Sequence, residues 1–593
     1  MTFPNDFDAS PPPSGEVGAR QRREESNERS KTMKTKSILL SGVIALLACA
    51  TSQAQDATWI NSGSGAWTDN ASWSSGAAPS NNNVFISNNG TKTVTIAAAT
   101  PVGNLTIGNL TVTSGLNTPN TLLLNNTNPL TVNGTLAVSG LFNGGAASVA
   151  KLLVDGGNLN TTSNMVTVGK NSAYGNATVS NGTWLAKEIT VWGVTGQLNV
   201  LGGNLTMSTA VSGWGIQGPG SVLVSGTGVI TDNFNTMGVK TLVVNNGGTL
   251  NLKAVNVGDS TGVVASSTAN MTIDNGNVNT SAGLLIGRQA GTTGTVVMTG
   301  GNLTITNGNS TAQLKVGELG NGTFTLNAGK VTADILTVAN GANSTFTFNG
   351  GTLSTRTTTI NNTSVFTVGN GTAAAGLTLN GGSHSFANGI TLANNATLSG
   401  NGTITTGTLI VSSGATLSPG NSPGTLTAGA TTLEGGGNYN WQILDATAAA
   451  GTGFDTISLT AGNALTLNNS IGNKFNINLW SLSSIGPDVN GDAGNFNNAT
   501  NYSWTLISTS LAITGFDANS FAINVSAFNG TGGFSNAING SFTISLGDSG
   551  TDLMLNYTAI PEPAAWVLAA LSLTVIMILF HRRQAGVIVV NAK

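Results

Sequence analysis

The nine residues MTGGNLTIT, at positions 298–306, carry the pattern that decides the fold. An apolar residue precedes a pair of glycines, and an alternation of Leu or Ile with Thr follows. Variants of this stretch recur at 154–162, 200–208, 244–252, 273–281, 326–334 and 348–356. Trp184 and Val229 fill two gaps in the series of apolar residues, whose members lie 21 to 28 residues apart: Leu159, Trp184, Leu205, Val229, Leu250, Val278, Leu303, Val331 and Leu353.

A period in the low to mid twenties, with strands that alternate apolar and Thr or Asn residues, is typical of a β-solenoid. Gly and Asn suit the turns because they tolerate a positive φ. Inward Val, Leu and Ile would stack from coil to coil, and outward Asn could form hydrogen-bonded ladders. Because parallel crossovers are nearly always right-handed, we predict an all-β protein with a right-handed parallel β-helix over residues 101–429.

The two ends of a solenoid need caps, since their strand edges would otherwise be unpaired. Residues 55–100 contain Trp59, Trp67 and Trp73 and predict an N-terminal cap. Exposed tryptophans could instead bind sugar rings, so both interpretations stay open. The repeats fade after residue 429, and longer strand patterns over 430–558 predict a β-rich C-terminal cap or a small separate β domain.

The composition excludes several classes of function. Charged residues are 8% of the 593-residue chain, against roughly 25% in ordinary proteins. A net charge of −3 gives no electrostatic case for nucleic acid, which binds clustered Lys and Arg. Cys49 is the one cysteine, so neither a disulfide framework nor a cysteine metal site is expected. We predict no cofactor.

Residues 33–54 have the three parts of a secretory signal peptide. Lys34 and Lys36 form the basic region, an apolar run follows, and small residues precede a cleavage site between Ala54 and Gln55. Export through the Sec machinery is therefore expected.

Two features near the signal peptide have more than one interpretation. Residues 1–32 are polar and of mixed charge. Either the start codon is wrongly assigned and translation begins at Met33, or these residues are an extended n-region of the signal peptide. Cys49 could belong to a lipoprotein box, although Leu47 is a poor match two positions before it. Otherwise Cys49 is an apolar filler of the signal peptide.

Residues 559–593 begin with Pro561, Glu562 and Pro563, followed by an apolar run over 564–580 and by the basic pair Arg582 and Arg583. The 17 residues of the run would make roughly 25 Å of helix, at the short end for a ~30 Å membrane core. We predict one C-terminal transmembrane helix. The basic cluster would place the chain end in the cytoplasm.

This tail resembles the PEP-CTERM sorting signal of exosortase-bearing Gram-negative bacteria. The repeats, with SPGNSPGTLT at 418–427, resemble autotransporter-associated β-strand repeats. The resemblance implies an exported protein held transiently in the inner membrane, cleaved near Pro561–Pro563 by an exosortase, and released to the envelope or an extracellular matrix. One departure is the extension QAGVIVVNAK at 584–593. Without cleavage, the tail would be a permanent anchor.

The sequence offers little for catalysis, which needs clustered acids or acids beside a base. The acids of the repeats are scattered, one per repeat or fewer: Asp155, Asp232, Asp259, Asp274 and Asp334. Two arginines, Arg288 and Arg356, lie between the signal and the tail. His384 lies in a repeat turn and is expected to be a surface or stacked histidine. We predict no catalytic residue.

The loop 486–495 contains Asp488, Asn490 and Asp492, a spacing faintly similar to a calcium loop. The Gly and Glu that such a loop needs are replaced by Ala493 and Ala499. A solvated loop is the better interpretation, so no metal site is predicted.

Three functional hypotheses remain. The first is a non-enzymatic structural protein of the cell envelope or extracellular matrix. The second is an adhesin or carbohydrate-binding protein whose partner is an extracellular polysaccharide. The third, and weakest, is a polysaccharide-degrading β-helix enzyme, which would need acids gathered on one face.

Overall fold

The computed structural model describes residues 55–115, 118–140, 148–170, 174–193, 195–211, 213–260, 267–339, 343–527, 532–560 and 565–587. The segments interpreted as a start region and a signal peptide, 1–32 and 33–54, lie outside them. So does Ala54 of the expected cleavage site. The described residues belong to one compact unit that begins at residue 54.

This unit is a right-handed β-solenoid, as predicted from the repeats. Its strands are joined almost entirely by parallel pairing with the strands of the next coil. The alternation of apolar and polar residues explains the geometry, because successive side chains of a strand point to opposite faces. In Thr293–Met298, for example, every second residue is buried.

The strands up to residue 225 are Ala57–Thr58, Gly65–Ala66, Val84–Ile86, Lys92–Ala97, Thr106–Ile107, Leu110–Val112, Asn120–Asn125, Leu130–Val132, Leu136–Val138, Ala150–Val168, Gly175–Val191, Gly196–Val200, Asn204–Met207 and Trp214–Ser225. Those up to residue 392 are Val229–Asn245, Thr249–Val257, Thr268–Asp274, Gly276–Ile286, Thr293–Met298, Gly301–Ile305, Gln313–Val316, Asn321–Leu326, Lys330–Val338, Thr345–Phe348, Gly351–Ile360, Phe366–Val368, Ala375–Leu379, Ser383–Phe386 and Ile390–Leu392.

The remaining strands are Ala396–Gly400, Thr403–Thr406, Leu409–Val411, Thr416–Pro419, Thr425–Ala428, Thr431–Glu434, Asn438–Ile443, Thr456–Leu459, Leu465–Asn468, Phe475–Ser484, Val489–Asn490, Tyr502–Ser508, Phe521–Asn524, Gly540–Gly547 and Asp552–Ala559. Short 3-10 turns are Asn70–Ser72, Val102–Asn104, Ala518–Ser520 and Asp548–Gly550. One α-helix, Ala565–Val587, follows.

Three columns of inward side chains form the core, each with one residue per coil. The first contains Leu130, Leu159, Trp184, Leu205, Ile230, Leu250, Val278, Leu303, Val331, Leu353, Leu377, Leu398, Leu417 and Tyr439. The second contains Val94, Leu122, Leu152, Ala177, Leu198, Val222, Leu242, Met271, Val296, Phe324 and Phe346. The third contains Ala57, Val84, Leu110, Leu136, Val166, Ile189, Ile216, Met237, Val255, Leu284, Leu314, Leu336, Thr358, His384 and Ile404.

In the predicted series of inward apolar residues, Val229 is wrong by one position. Leu205 and Leu250 pair with Ile230, which is fully buried. Val229 pairs with Asn204 and Thr249 and is partly exposed. A shift of one residue moves a side chain to the other face of a strand, so Ile230, and not Val229, belongs to the core.

The turns use glycine for two physical reasons. Gly301 has φ +81°, and a Cβ on it would lie 2.0 Å from the carbonyl oxygen of Gly276 on the neighbouring coil. Gly203 has φ +71°, and its Cβ would lie 2.3 Å from Gly182 O. Both the backbone conformation and the close approach of the next coil therefore require Gly at these turns.

Parallel pairing continues beyond residue 429, since Tyr439 pairs with Ile477, which in turn pairs with Ile523. Antiparallel pairing appears near the end of the β structure. There Asp552–Ala559 lies between Tyr502–Ser508 and Gly540–Gly547.

The apolar C-terminal segment forms the helix Ala565–Val587. Among the residues that the structure describes, no helix is long and apolar enough to cross a membrane. The transmembrane part of the predicted fold is therefore not found. The apolar residues of this helix end at Phe580, before His581, Arg582 and Arg583.

Candidate functional site

Three tryptophans meet inside the first coil. Trp73 packs edge-on against Trp59 and Trp67, with ring centroids 5.0 and 5.1 Å apart. All three are buried. Their indole N–H groups donate to carbonyl oxygens of Gly63, Asn104 and Trp67 at 3.2, 3.0 and 2.8 Å. These rings cover apolar core, and their faces are not available to stack on sugar rings.

The residues that directly follow the members of the first column in the chain are polar and uncharged over ten successive coils. From coil to coil the residues Thr206, Thr231, Asn251, Asn279, Thr304, Thr332, Ser354, Thr378, Ser399 and Ser418 follow one another. We call this series the Thr/Asn column.

Side chains of neighbouring coils bond to one another on this face, as the sequence predicted for Asn. Asn279 Nδ2 donates to Asn251 Oδ1 at 2.9 Å, and the Thr378 and Ser399 hydroxyls lie 3.0 Å apart. A further ladder of three residues links Asn524 to Asn478 and Asn478 to Asn440, at 2.7 and 2.8 Å.

Two of the five aspartates of the repeats, Asp155 and Asp274, bond to side chains of the next coil. Asp155 accepts a hydrogen bond from Ser180 Oγ, and Asp274 accepts one from Thr299 Oγ1, each at 2.9 Å. Asp155 lies at a register shift within the strand Ala150–Val168 and Asp274 ends the strand Thr268–Asp274, so both acids hold one coil against the next.

Two other acids, Asp232 and Asp334, bind main-chain N–H groups. The Oδ1 of Asp232 accepts from the N–H groups of Phe234 and Asn235 at 3.1 and 3.0 Å. Burial raises the pKa of Asp232, and these hydrogen bonds oppose the rise. Asp334 Oδ2 accepts from Asn307 N at 2.9 Å. Neither acid is joined to a second carboxylate by these contacts.

The remaining repeat acid, Asp259, belongs to a charged network on successive coils. Its Oδ2 lies 2.9 Å from Arg288 Nη1, and Arg288 Nε lies 3.9 Å from Glu318 Oε2. Lys315 Nζ completes the network at 2.9 Å from Glu318 Oε1. Because each carboxylate has a cationic partner, the arrangement is that of a structural ion-pair network. Arg356 is exposed in the strand Gly351–Ile360.

His384 lies in the strand Ser383–Phe386 rather than in a turn. It is fully buried in the third column, between Thr358 and Ile404. Its Nδ1 lies 3.0 Å from Thr358 Oγ1 and its Nε2 lies 2.8 Å from Gly381 O. Burial lowers the pKa of His384. These partners give it the environment of a stacked core histidine.

The residues of the loop 486–495 do not converge on a common point. Asp488 accepts from Gln442 Nε2 at 3.1 Å, whereas Asn490 Nδ2 donates to Ser481 O at 3.0 Å. Asp492 is exposed. Across the described part of the chain, no group of three or more His, Cys, Asp or Glu residues could hold a metal ion.

Asp455 secures the turn of the SPGNSPG stretch. The carboxylate is fully buried and accepts from Gly424 N and Gln442 N at 2.8 and 3.0 Å. Burial raises its pKa well above the ordinary value. Both oxygens are used in joining the turn to the strand Asn438–Ile443, so its role is architectural.

Sequence reasoning missed a cleft of about 370 Å³ between the strands Thr345–Phe348 and Phe366–Val368. The two strands pair only at Phe348 and Val368. By contrast, Thr345–Phe348 pairs along its whole length with the preceding coil. The only signal in the sequence was the interruption of the strand pattern at 361–364, between the strands Gly351–Ile360 and Phe366–Val368.

The sorting motif Pro561, Glu562 and Pro563 lies outside the described residues. Gln55, on the other side of the expected signal cleavage, is the first described residue and is exposed. Arg582 and Arg583 are exposed near the end of the helix Ala565–Val587.

No protein-family model matches the sequence, and a search of curated proteins finds no match to it.

Proposed function

We propose that this chain is an exported, non-enzymatic structural protein of a bacterial cell envelope or extracellular matrix. The observation that carries the proposal is the Thr/Asn column, with its hydrogen bonds between coils such as Asn279 to Asn251 at 2.9 Å. Along this column, hydroxyl and amide side chains keep the surface of the solenoid hydrated without charge. Such a surface is suited to a crowded, polysaccharide-rich exterior, where it neither attracts nor repels polyelectrolytes.

The second part of the proposal concerns residues 559–593, the C-terminal tail. This tail holds the precursor at the inner membrane until an exosortase cleaves near Pro561, Glu562 and Pro563. The apolar side chains along its helix support this role, because Leu568 and Met577 are 61% and 64% exposed. A contiguous exposed apolar surface marks a site of contact with a membrane or protein.

The test is the intact mass of the protein from its native host, combined with cell fractionation. A C-terminus near Pro561, in the envelope or medium, is the expected result. A mass that includes residues 566–593, with all the protein in the inner membrane, would instead make the tail a permanent anchor. Full-length protein in the cytoplasm would overturn the proposal of export.

A matched variant sharpens this experiment. Replacing Pro561 and Pro563 by Ala would let the chain before the helix become helical, since Pro restricts its own φ and that of its predecessor. We expect the uncleaved precursor to accumulate in this variant. Pro419→Ala, in a solenoid strand remote in sequence from the tail, is the control for a general effect of losing Pro and should be processed normally.

Carbohydrate binding, the second hypothesis from the sequence, finds no exposed aromatic surface among these residues, because Trp59, Trp67 and Trp73 are buried and Phe346 and Phe366 of the cleft are 8% and 3% exposed.

A further inference from the structure

Three polar side chains from separate segments meet near the turn of the SPGNSPG stretch at 418–424. Ser422 belongs to this turn, and Gln442 to the strand Asn438–Ile443. Asp488 lies in the loop of a β-hairpin further along the chain. Because 20 residues separate Ser422 from Gln442 and 46 separate Gln442 from Asp488, only the fold brings these groups together.

The three side chains form a triangle of contacts. Ser422 Oγ lies 2.8 Å from Gln442 Oε1 and also contacts Asp488 Oδ2. The same oxygen of Asp488 lies 3.1 Å from Gln442 Nε2. A hydroxyl, a carboxamide and a carboxylate are therefore mutually adjacent.

This triangle has one hydrogen too few. The Ser422 hydroxyl has a single hydrogen, which can point to Gln442 Oε1 or to the Asp488 carboxylate, but not to both. If the Gln442 amide is turned over, its nitrogen faces Ser422 and its oxygen faces Asp488 instead. In either orientation, one pair of oxygens is left in contact without a hydrogen between them.

The charge around the triangle is negative. Asp455 is fully buried and accepts from the main-chain N–H groups of Gly424 and Gln442. Burial raises the pKa of Asp455, and the negative charge of Asp488 adds to the rise. Among the described residues, no Lys or Arg forms an ion pair with either aspartate. The described protein therefore supplies no cationic partner to this pair of carboxyl groups.

A cation between the three side chains would remove both difficulties. It would be bound by the hydroxyl, amide and carboxylate oxygens at once, without any hydrogen, and it would supply the missing positive charge. Oxygen ligands of these kinds select hard cations such as Ca²⁺ and Mg²⁺. Ca²⁺ tolerates irregular geometry and completes a shell of 6–8 oxygens with water, whereas Mg²⁺ demands a near-ideal octahedron. Asp488 is exposed and Ser422 is half-buried, so the ion and its waters can reach the triangle from solvent.

We propose that Ser422 Oγ, Gln442 Oε1 and the carboxylate of Asp488 bind a calcium ion, which fastens the hairpin loop to the SPGNSPG turn. Only one of these three ligands carries a formal charge. The affinity therefore falls at the weak end of the range for calcium sites, with a dissociation constant of about 0.1–1 mM. The inference goes beyond the proposed function and does not depend on it.

This site is not the calcium loop considered from the spacing of Asp488, Asn490 and Asp492. The Nδ2 of Asn490 donates to the carbonyl oxygens of Ser481 and Gly533, at 3.0 and 2.8 Å, which fixes the base of the hairpin. Asp492 lies beyond that base and is exposed. Of the three, only Asp488 contacts Ser422 and Gln442.

The experiment titrates CaCl₂ into the purified full chain, stripped of divalent metal by a chelating resin, and measures binding by isothermal titration calorimetry. We expect one site with a dissociation constant of about 0.1–1 mM, and slower hydrogen exchange over 482–490 when calcium is present. Asp488→Asn keeps the size of the side chain but removes its charge. Since ligand charge sets calcium affinity, this variant should raise the dissociation constant about tenfold or more.

Ser422→Gly tests a second ligand without straining the turn. Ser422 has φ +60°, a conformation that glycine adopts readily. Loss of its neutral hydroxyl should weaken calcium binding by a smaller factor than Asp488→Asn does. Asp492→Asn, at an exposed acid beyond the same hairpin, is the matched control and should bind as the wild type does. Thermal unfolding of each variant without calcium separates lost binding from lost folding.

Three results would overturn the inference. The first is the absence of heat and of any change in exchange up to about 10 mM CaCl₂, tenfold above the weakest expected dissociation constant. The second is equal affinity of the wild type, Asp488→Asn and Ser422→Gly. The third is an equal loss of binding in Asp492→Asn and Asp488→Asn, which would place the ion elsewhere in the loop. None of them bears on the proposed function, which is tested by mass and location in the native host.

Discussion

His384 and Thr358 lie on adjacent coils, with Nδ1 of the histidine 3.0 Å from Oγ1 of the threonine. They are the two polar members of an inward column that is otherwise apolar. Thr358 also lies 2.8 Å from Thr355 Oγ1, and His384 Nε2 lies 2.8 Å from Gly381 O. The polar atoms therefore satisfy one another inside the core, which is the condition for tolerating them there.

We predict that this histidine makes the solenoid less stable in mild acid. Burial lowers the pKa of His384 from its ordinary value of 6.5. Between the lowered value and 6.5 the unfolded chain binds more protons than the folded chain does. The contribution of neutral His384 to the stability of the fold is therefore complete above about pH 6.5, and it is lost as the pH falls through this window.

The measurement is thermal unfolding from pH 7.5 downward, with hydrogen exchange over 377–404 as a local readout. His384→Leu removes the titrating group and should flatten the loss of stability below pH 6.5, while Thr358 keeps its contact with Thr355. Equal slopes for both proteins would contradict the prediction.

A second prediction concerns the neighbours Val229 and Ile230. Ile230→Asp places a carboxylate among Leu205 and Leu250, where it has no partner, and should unfold the surrounding coils. Val229→Asp adds the same charge to the outer face and should change stability by less than about 1 kcal/mol. Denaturant unfolding and limited proteolysis would compare them, and equal losses would show that the register is different.

This pair also shows what sequence reasoning could reach. The repeat period and the strand alternation follow from local chemistry, so they predicted the solenoid and most of the inward column. In VSGTGVITD two apolar β-branched residues follow the turn, and only pairing with Leu205 and Leu250 decides that Ile230 points inward. The cleft beside Asn362 depends on a missing pairing between coils, and the interrupted strand pattern at 361–364 does not by itself show which pairing is lost.

A third prediction tests the close approach of coils at turns. In Gly301→Ala the added methyl group would lie 2.0 Å from Gly276 O, and φ is +81°. We expect a loss of more than about 1 kcal/mol, since both strain and overlap oppose it. Gly308→Ala is the matched control, because a Cβ there meets nothing within 4 Å. The control should keep the wild-type melting temperature, and a parallel fall in both variants would point to a cause other than overlap.

The last prediction concerns Lys92, which is buried on the same side of its strand as Val94 and Ile96. Its Nζ lies 2.8, 3.1 and 2.6 Å from the carbonyl oxygens of Asn88, Asn89 and Gly90. It also lies 3.1 Å from the Oδ1 of Asn120 on the next coil. The side chain is almost fully buried, and burial lowers its pKa.

Lys92→Met keeps the length and the apolar stem but removes the donor that four oxygens share. We expect it to destabilise the first coils by about 1–3 kcal/mol, the cost of leaving buried acceptors without a donor. Lys151→Met is the control, because Lys151 is exposed on a strand of the same sheet. Hydrogen exchange over 84–125 measures both variants. Unchanged protection in Lys92→Met would mean that its ammonium contributes nothing to holding the turn at 88–90 against Asn120.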